Sequence, residues 1–319
     1  MTTENKSMKI AVLNYPQAIL SSVAGPFDMF NQLNEIVESF RPDMKTPNVE
    51  TKILSLDSID STVEYDLVII PAFHFRFADE VLRQFAPHKK WLVAQYENGS
   101  EIASICLGAF ILASTGLIDN EKCTTHWIGI EQFRRLFPKV KLVDDRIITD
   151  NNRIYSSGGA YSFTALIIYL VEKYFGHEVA VLLSKVFLVH TQFLQQSSFK
   201  ILDLQKNHHN LPIKRVQDYI ESHVAENFNT ENLAEMAHMN KRTFMRHFKG
   251  ATGETPFNYI QKVKVEKAKK LLELNSMGVE QVGFEIGYSD IGSFRKAFKK
   301  HAGVIPSEYK KMYQRVYSA

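Results

Sequence analysis

Apolar positions in the first part of the chain fall into two patterns: short continuous runs, and longer stretches with helical spacing. Lys9–Asn14 (KIAVLN) and Tyr65–Ile70 (YDLVII) are compact runs rich in Val and Ile, bounded by turn residues, as strands buried on both faces are. Thr51–Leu56 (TKILSL) is a weaker run, and Glu101–Ile105 (EIASI) leads directly into a helical pattern over Ala109–Ser114. Between the first two runs, Phe27, Phe30, Leu33 and Val37 recur at helical spacing within Pro26–Phe40. Val140–Ser156 reads as shorter strands broken by turns at Asp144-Asp145 and Asn151-Asn152. Helices are expected over Ser162–Lys173 and from Glu178 to about Leu194. This alternation predicts an α/β domain with a mostly parallel sheet over residues 1–194.

The pattern changes near Gln195. Residues 195–212 are polar, with Ser, Gln, Asn and His clustered, and read as a linker. Residues 213–319 read as helical throughout, and two segments share one plan. Leu233–Ala237 meets a turn at His238–Asn240 and then Lys241–Lys249; Val279–Ile286 meets Gly287–Ser289 and then Asp290–Lys300. Ala234, Ala237 and Gly283 let two helix axes approach closely. Gly287 suits the left-handed backbone of a tight helix-ending turn, and Asn240 and Ser289 are the expected N-caps.

In each second helix a Phe pair four residues apart, Phe244/Phe248 and Phe294/Phe298, is expected to face the core. The opposite side then presents Arg242, Thr243, Met245, Arg246 and Lys249 in the first helix. In the second it presents Ser289, Asp290, Ile291, Ser293, Arg295, Lys296 and Lys299. A helix fits the DNA major groove, and Arg and Lys donate to guanine edges there. Lys262, Lys264, Lys267 and Lys269, between the two units, suit phosphate contacts.

Charge distribution agrees. Residues 210–319 hold 18 Lys/Arg against 12 Asp/Glu, a net +6, while the remainder holds 20 against 23, a net −3. A basic module behind a slightly acidic body is the electrostatic footprint of a nucleic-acid reader. No apolar run reaches the roughly 18–20 residues of a membrane span, the first ten residues lack the apolar core of a signal peptide, and Cys106 and Cys123 are the only cysteines. A cytoplasmic protein without a disulfide framework is expected.

From about Val216 to Tyr313 the chain resembles the DNA-binding domain of the AraC/XylS regulators. Val282–Asp290 (VGFEIGYSD), Phe294–Lys300 (FRKAFKK) and Gly303–Tyr309 (GVIPSEY) carry the resemblance. It implies an all-α double helix-turn-helix domain that sets both recognition helices in successive major grooves of double-stranded DNA. Ile291-Gly292 stands where the family usually has a polar pair, so the second helix is expected to make fewer base contacts.

Cys106 follows a strand and precedes a helix, the turn at which α/β folds expose a nucleophile and a helix N-terminus lowers a thiol pKa. His126 is the candidate base. The segments Ile105–Phe110, Leu112-Ala113, Gly116–Asp119, Thr124–Trp127, Ala24–Asp28 and Ser157–Gly159 are similar to the PfpI-like, class I glutamine-amidotransferase-like superfamily. Placed before an AraC-type domain, this is the arrangement of the GlxA-type transcriptional regulators. The resemblance implies a flavodoxin-like sheet with flanking helices. Two departures count against catalysis: Ser22 stands where relatives carry an acid, and Pro71–His74 replaces glycines beside the oxyanion.

Cys106 and His126 are therefore read as a vestigial pair in a ligand pocket with Ser22, Phe73, His74, Leu107 and Trp127. No metal set and no cofactor are implied. The expected partners are double-stranded DNA, a small effector such as an amino acid or quaternary amine, a second copy of the chain, and RNA polymerase. The alternatives are a cysteine hydrolase or amidase using Cys106, and a thiol redox sensor.

Overall fold

The computed structural model describes residues 7–44, 48–189, 206, 208–273 and 277–312. The chain divides into two compact units, Met1–Gln196 and Ser197–Ala319.

In the first unit, strands β1 (Met8–Asn14), β2 (Val49–Ser55), β3 (Leu67–Ile70), β4 (Glu101–Ile105), β7 (Ile148–Asn151) and β8 (Ile154–Ser157) form a sheet in the order β2-β1-β3-β4-β8-β7. All neighbours are parallel except the β7–β8 pair. Two short strands, β5 (Lys122–Cys123) and β6 (Lys141–Leu142), pair separately. Helices α1 (Ser21–Asn31), α2 (Leu33–Phe40), α3 (Ala78–Phe85), α4 (Lys89–Glu97), α5 (Gly108–Ser114), α6 (Ile130–Leu136), α7 (Phe163–Phe175) and α8 (His177–Val186) accompany the sheet. Ile10–Leu13 and Leu67–Ile70 are fully buried, because a parallel sheet covered on both faces leaves no polar side.

Three expected boundaries move. The helix read from Pro26 starts at Ser21 and carries Pro26 inside it, then breaks at Gln32. The proline removes one donor, but Ser22 already ties the helix start through its hydroxyl, which donates to the Ile19 carbonyl at 2.7 Å. The helix read from Glu178 stops at Val186, and Leu188 takes a left-handed φ of +52°. Residues 190–194, the end of that expected helix, and 195–205 and 207, most of the expected linker, lie outside the described residues, and a helix begins within the last two linker positions.

That helix is α9 (Leu211–Ser222), followed by α10 (Thr230–Met236), α11 (Lys241–Thr252), α12 (Pro256–Glu273), α13 (Val279–Glu285), α14 (Ile291–Ala302) and α15 (Pro306–Met312). The two halves repeat at a spacing of about fifty residues. Phe244 and Phe248 correspond to Phe294 and Phe298, all fully buried, and each pair continues edge-to-face onto a tyrosine, Tyr259 or Tyr309. Those tyrosines donate to Glu221 Oε1 at 2.8 Å and to Glu273 Oε1 at 2.6 Å. Gly253 and Gly303 end α11 and α14 in the left-handed conformation. Truncating one such buried Phe to Ala costs about 3–5 kcal/mol, so each half is held by its own aromatic stack.

Candidate functional site

Cys106 occupies the turn between β4 and α5 with φ +57°, a left-handed backbone that a side chain adopts at a cost of about 1–3 kcal/mol. Its N–H donates to Ser157 O at 2.6 Å, and its carbonyl accepts from Thr125 Oγ1 at 3.0 Å. A Cβ on Gly108 would meet the Pro71 and Ile70 carbonyl oxygens at 2.6 and 2.7 Å, so only glycine lets α5 start this close to β3. The elbow is built, yet its thiol is 4% exposed. Burial pushes the thiol up to about 12, against a smaller opposing effect of the Leu107 and Gly159 backbone donors. Desolvation therefore outweighs the helix N-terminus that was expected to lower it.

Of the expected pocket residues, Ser22, Phe73 and Leu107 are packed in the core with Cys106, His126 and Trp127 are half-buried, and His74 is exposed. Ser22 Oγ accepts from the Ala72 N–H at 2.9 Å, which occupies a backbone donor beside the elbow. Phe73 lies edge-on to Phe110, their centroids 6.1 Å apart. His126 Nδ1 accepts from Ile128 N–H at 3.1 Å, and burial lowers its imidazole pKa. Its ring packs against Trp127 at 5.2 Å. Among the described residues no hydrogen bond or ion pair links His126 to Cys106, and no three His, Cys, Asp or Glu side chains gather to hold a metal ion. A hollow of about 320 Å³ lies elsewhere, lined by Arg41, His177, Glu178, Val181, Leu182 and Lys185.

Tyr15 belongs to the elbow and was missed. Its hydroxyl donates to Pro71 O at 2.6 Å, and its pKa is raised by burial and by the charge a Cys106 thiolate would carry. A tyrosine just past a strand carries no sequence signal; only the fold brings the ends of β1 and β3 together.

In the second unit Asn240 caps α11, accepting from Thr243 N–H at 2.9 Å. The cap of α14 is Asp290 rather than Ser289: its carboxylate accepts from Gly292 and Ser293 N–H. An ionised acceptor satisfies two helix-start donors where a hydroxyl would bond more weakly. Arg242, Met245, Arg246 and Lys249 are exposed on α11, as are Ser293, Arg295, Lys296 and Lys299 on α14. Thr243 is half-buried. So is Ile291, which is directed toward the core face, its Cδ1 against the site a Cβ on Gly283 would take. Arg295 pairs loosely with Glu280 at 3.6 Å.

Two lysines of α12 depart from the expected phosphate-facing placement. Lys264 and Lys269 are buried. Lys264 Nζ stands 5.4 Å from the Tyr288 ring centroid, and burial lowers its pKa. Lys269 pairs with Glu266 at 2.7 Å and Lys262 with Glu254. Lys267 alone of the four is exposed. Helix α12 packs against α13, α14 and α15 as well as α9 and α11, so two of its lysines point into the protein.

Residues 9–173, just over half of the chain, match the DJ-1/PfpI family, and residues 233–312 match a helix-turn-helix domain. The HTH-type transcriptional regulator GbdR of Pseudomonas aeruginosa is 24% identical over 232 residues, covering 69% of this chain and 60% of GbdR. CdhR of the same organism, also an HTH-type transcriptional regulator, is 26% identical over 231 residues, covering 72% and 68%. The HTH-type transcriptional regulator GlxA of Rhizobium meliloti is 23% identical over 205 residues, covering 63% and 62%. The match thus spans about 60% of the length of GbdR. With the elbow of Cys106 in one unit and the repeated helix pairs in the other, the chain belongs to the DJ-1/PfpI family and joins that domain to an AraC-type helix-turn-helix domain.

Proposed function

We propose that this protein is a sequence-specific, DNA-binding transcription regulator whose DJ-1/PfpI domain responds to a small metabolite. The observation that carries the reading is the exposed basic side of α11 and α14. Arg242, Arg246 and Lys249, and then Arg295, Lys296 and Lys299, lie opposite Phe pairs that are fully buried. Side chains on that side are free to enter a major groove while the aromatic stack fixes each helix beneath them. The two helices are unequal. Gly292 stands where α11 has Arg242, and Ile291 is half-buried, so α11 reads bases and α14 anchors the backbone. The regulators GbdR, CdhR and GlxA support the same reading.

Cys106 does not act as a nucleophile in this account. A thiol pushed up to about 12 has almost no thiolate near neutral pH, and Ser22 already takes the Ala72 donor. No helix among the described residues is long and apolar enough to cross a membrane.

Selection of duplexes bound by the full chain from a random-sequence pool tests the reading. The expected product is a motif of two blocks about one helical turn, ~10 bp, apart, with the block under α11 better defined. Recovery of unselected sequence at every salt concentration would overturn it.

A further inference from the structure

The loop after β1 carries Gln17 to the side of α3, where it meets Glu80 and Gln84. Gln17 Nε2 donates to Glu80 Oε1 at 2.6 Å, and Gln84 Nε2 donates to the same oxygen at 3.2 Å. A carboxylate accepts only, so both amides turn their NH2 groups toward it. Their carbonyl oxygens, Gln17 Oε1 and Gln84 Oε1, are hidden from solvent and find no donor among the described residues. The oxygen and nitrogen of each amide share one carbon, so both orphan oxygens lie within about 6 Å of the Glu80 carboxylate. Two acceptors without a donor thus stand beside one negative charge. A buried acceptor without a donor is destabilising and calls for a partner.

The cluster also stands where the fold favours ligands. The strand order reverses between β1 and β3, and open α/β sheets bind ligands outside the carboxyl ends of their strands at such a point. The crevice itself is closed. Ile19 N–H donates to Ala72 O at 2.8 Å, Tyr15 to Pro71 O, and Ala72 N–H to Ser22. That stitching keeps a ligand away from Cys106 and leaves the half-buried Gln17, Glu80 and Gln84 as the polar groups that can meet it.

We propose that Gln17, Glu80 and Gln84 form a binding site for a small organic cation carrying several N–H donors, a primary ammonium or a guanidinium group. The inference rests on the effector reading above and gives that effector a chemistry. A quaternary amine has charge but no N–H, and would leave both amide oxygens unsatisfied.

The test is thermal shift and titration calorimetry on the full chain, without DNA. The probes are putrescine and agmatine, compared with tetramethylammonium chloride at matched ionic strength. Putrescine or agmatine raises the melting temperature and tetramethylammonium does not. Glu80→Gln weakens the binding about tenfold or more. Gln84→Met, which removes an orphan oxygen together with the Nε2 donor to Glu80, also weakens it and narrows the preference for putrescine and agmatine over tetramethylammonium, a readout that an amide kept only for structure would not move. Equal behaviour of the three cations, or unaltered binding in both variants, overturns the proposal. If that happens while duplex selection still yields a motif, the regulator reading stands and the cation site falls.

Discussion

The carbonyl oxygen of Ala225, in the loop between α9 and α10, fills the place where a Cβ on Gly287 would stand. Gly287 ends α13 with φ +81°, so the position excludes side chains twice, by its left-handed backbone and by the α9–α10 loop pressed against it. Its counterpart in the first helix-turn-helix, His238, also has a left-handed φ, +54°, yet carries a side chain. The two turns share a conformation and differ in what lies against them.

Gly287→Ala should therefore cost roughly 2–4 kcal/mol, since it adds a backbone collision to the left-handed penalty. His238→Gly should stabilise by up to about 1 kcal/mol, since only the penalty is relieved. Urea unfolding of both variants checks the pair. Equal and opposite small effects would contradict the contact.

Ser22→Ala should cost about 1–3 kcal/mol, because it leaves the Ala72 N–H without its acceptor in a buried place. A variant as stable as the parent in thermal unfolding would show that this bond does not hold the loops together.

Cys106 and Cys123 are both buried, with thiols pushed up to about 12. Iodoacetamide should label the native chain slowly at pH 8 at both positions, and rapidly only in denaturant. The shift also means that stability is complete below about pH 9 and falls as pH rises toward 12, since the unfolded thiols ionise first. Fast labelling of native Cys106 at pH 6–7 would restore the nucleophile reading.

His301, near the end of α14, has a buried Nε2 without a partner among the described residues. Burial, then Lys300 and Lys262, lower its imidazole to about 4, against the opposing pull of Glu254. Between that value and the ordinary 6.5 the unfolded chain binds more protons than the folded one. Stability should then fall as pH drops from 6.5 to 4, and His301→Gln should flatten that fall in thermal unfolding. Parallel profiles for parent and variant would contradict the assignment.

Much of this was legible before the structure. Continuous apolar runs marked β1, β3 and β4, because a covered parallel sheet needs no polar alternation. The Phe pairs marked α11 and α14, because residues four apart share a helix face. The remainder depended on tertiary placement. Pro26 reads as a helix start by its own chemistry, but Ser22 anchors the start a turn earlier. Lys264 and Lys269 read as solvent-facing until α12 is seen to pass between two helix pairs. The strand–Cys106–helix turn was read correctly as an elbow, but how deeply it is buried, and hence the sign of its pKa shift, is set by residues distant in sequence such as Tyr15 and Phe73.

The most direct test of the central claim is the affinity of the full chain for a selected duplex, measured by fluorescence anisotropy from low to moderate salt. The parent should bind with a steep salt dependence. Arg246→Ala should cost about 1–3 kcal/mol and relax sequence preference at one block, while Lys296→Ala should weaken binding to all sequences and reduce the salt slope by about 1. Absence of saturable binding at low salt, or two variants with the parent's affinity and slope, would contradict the account.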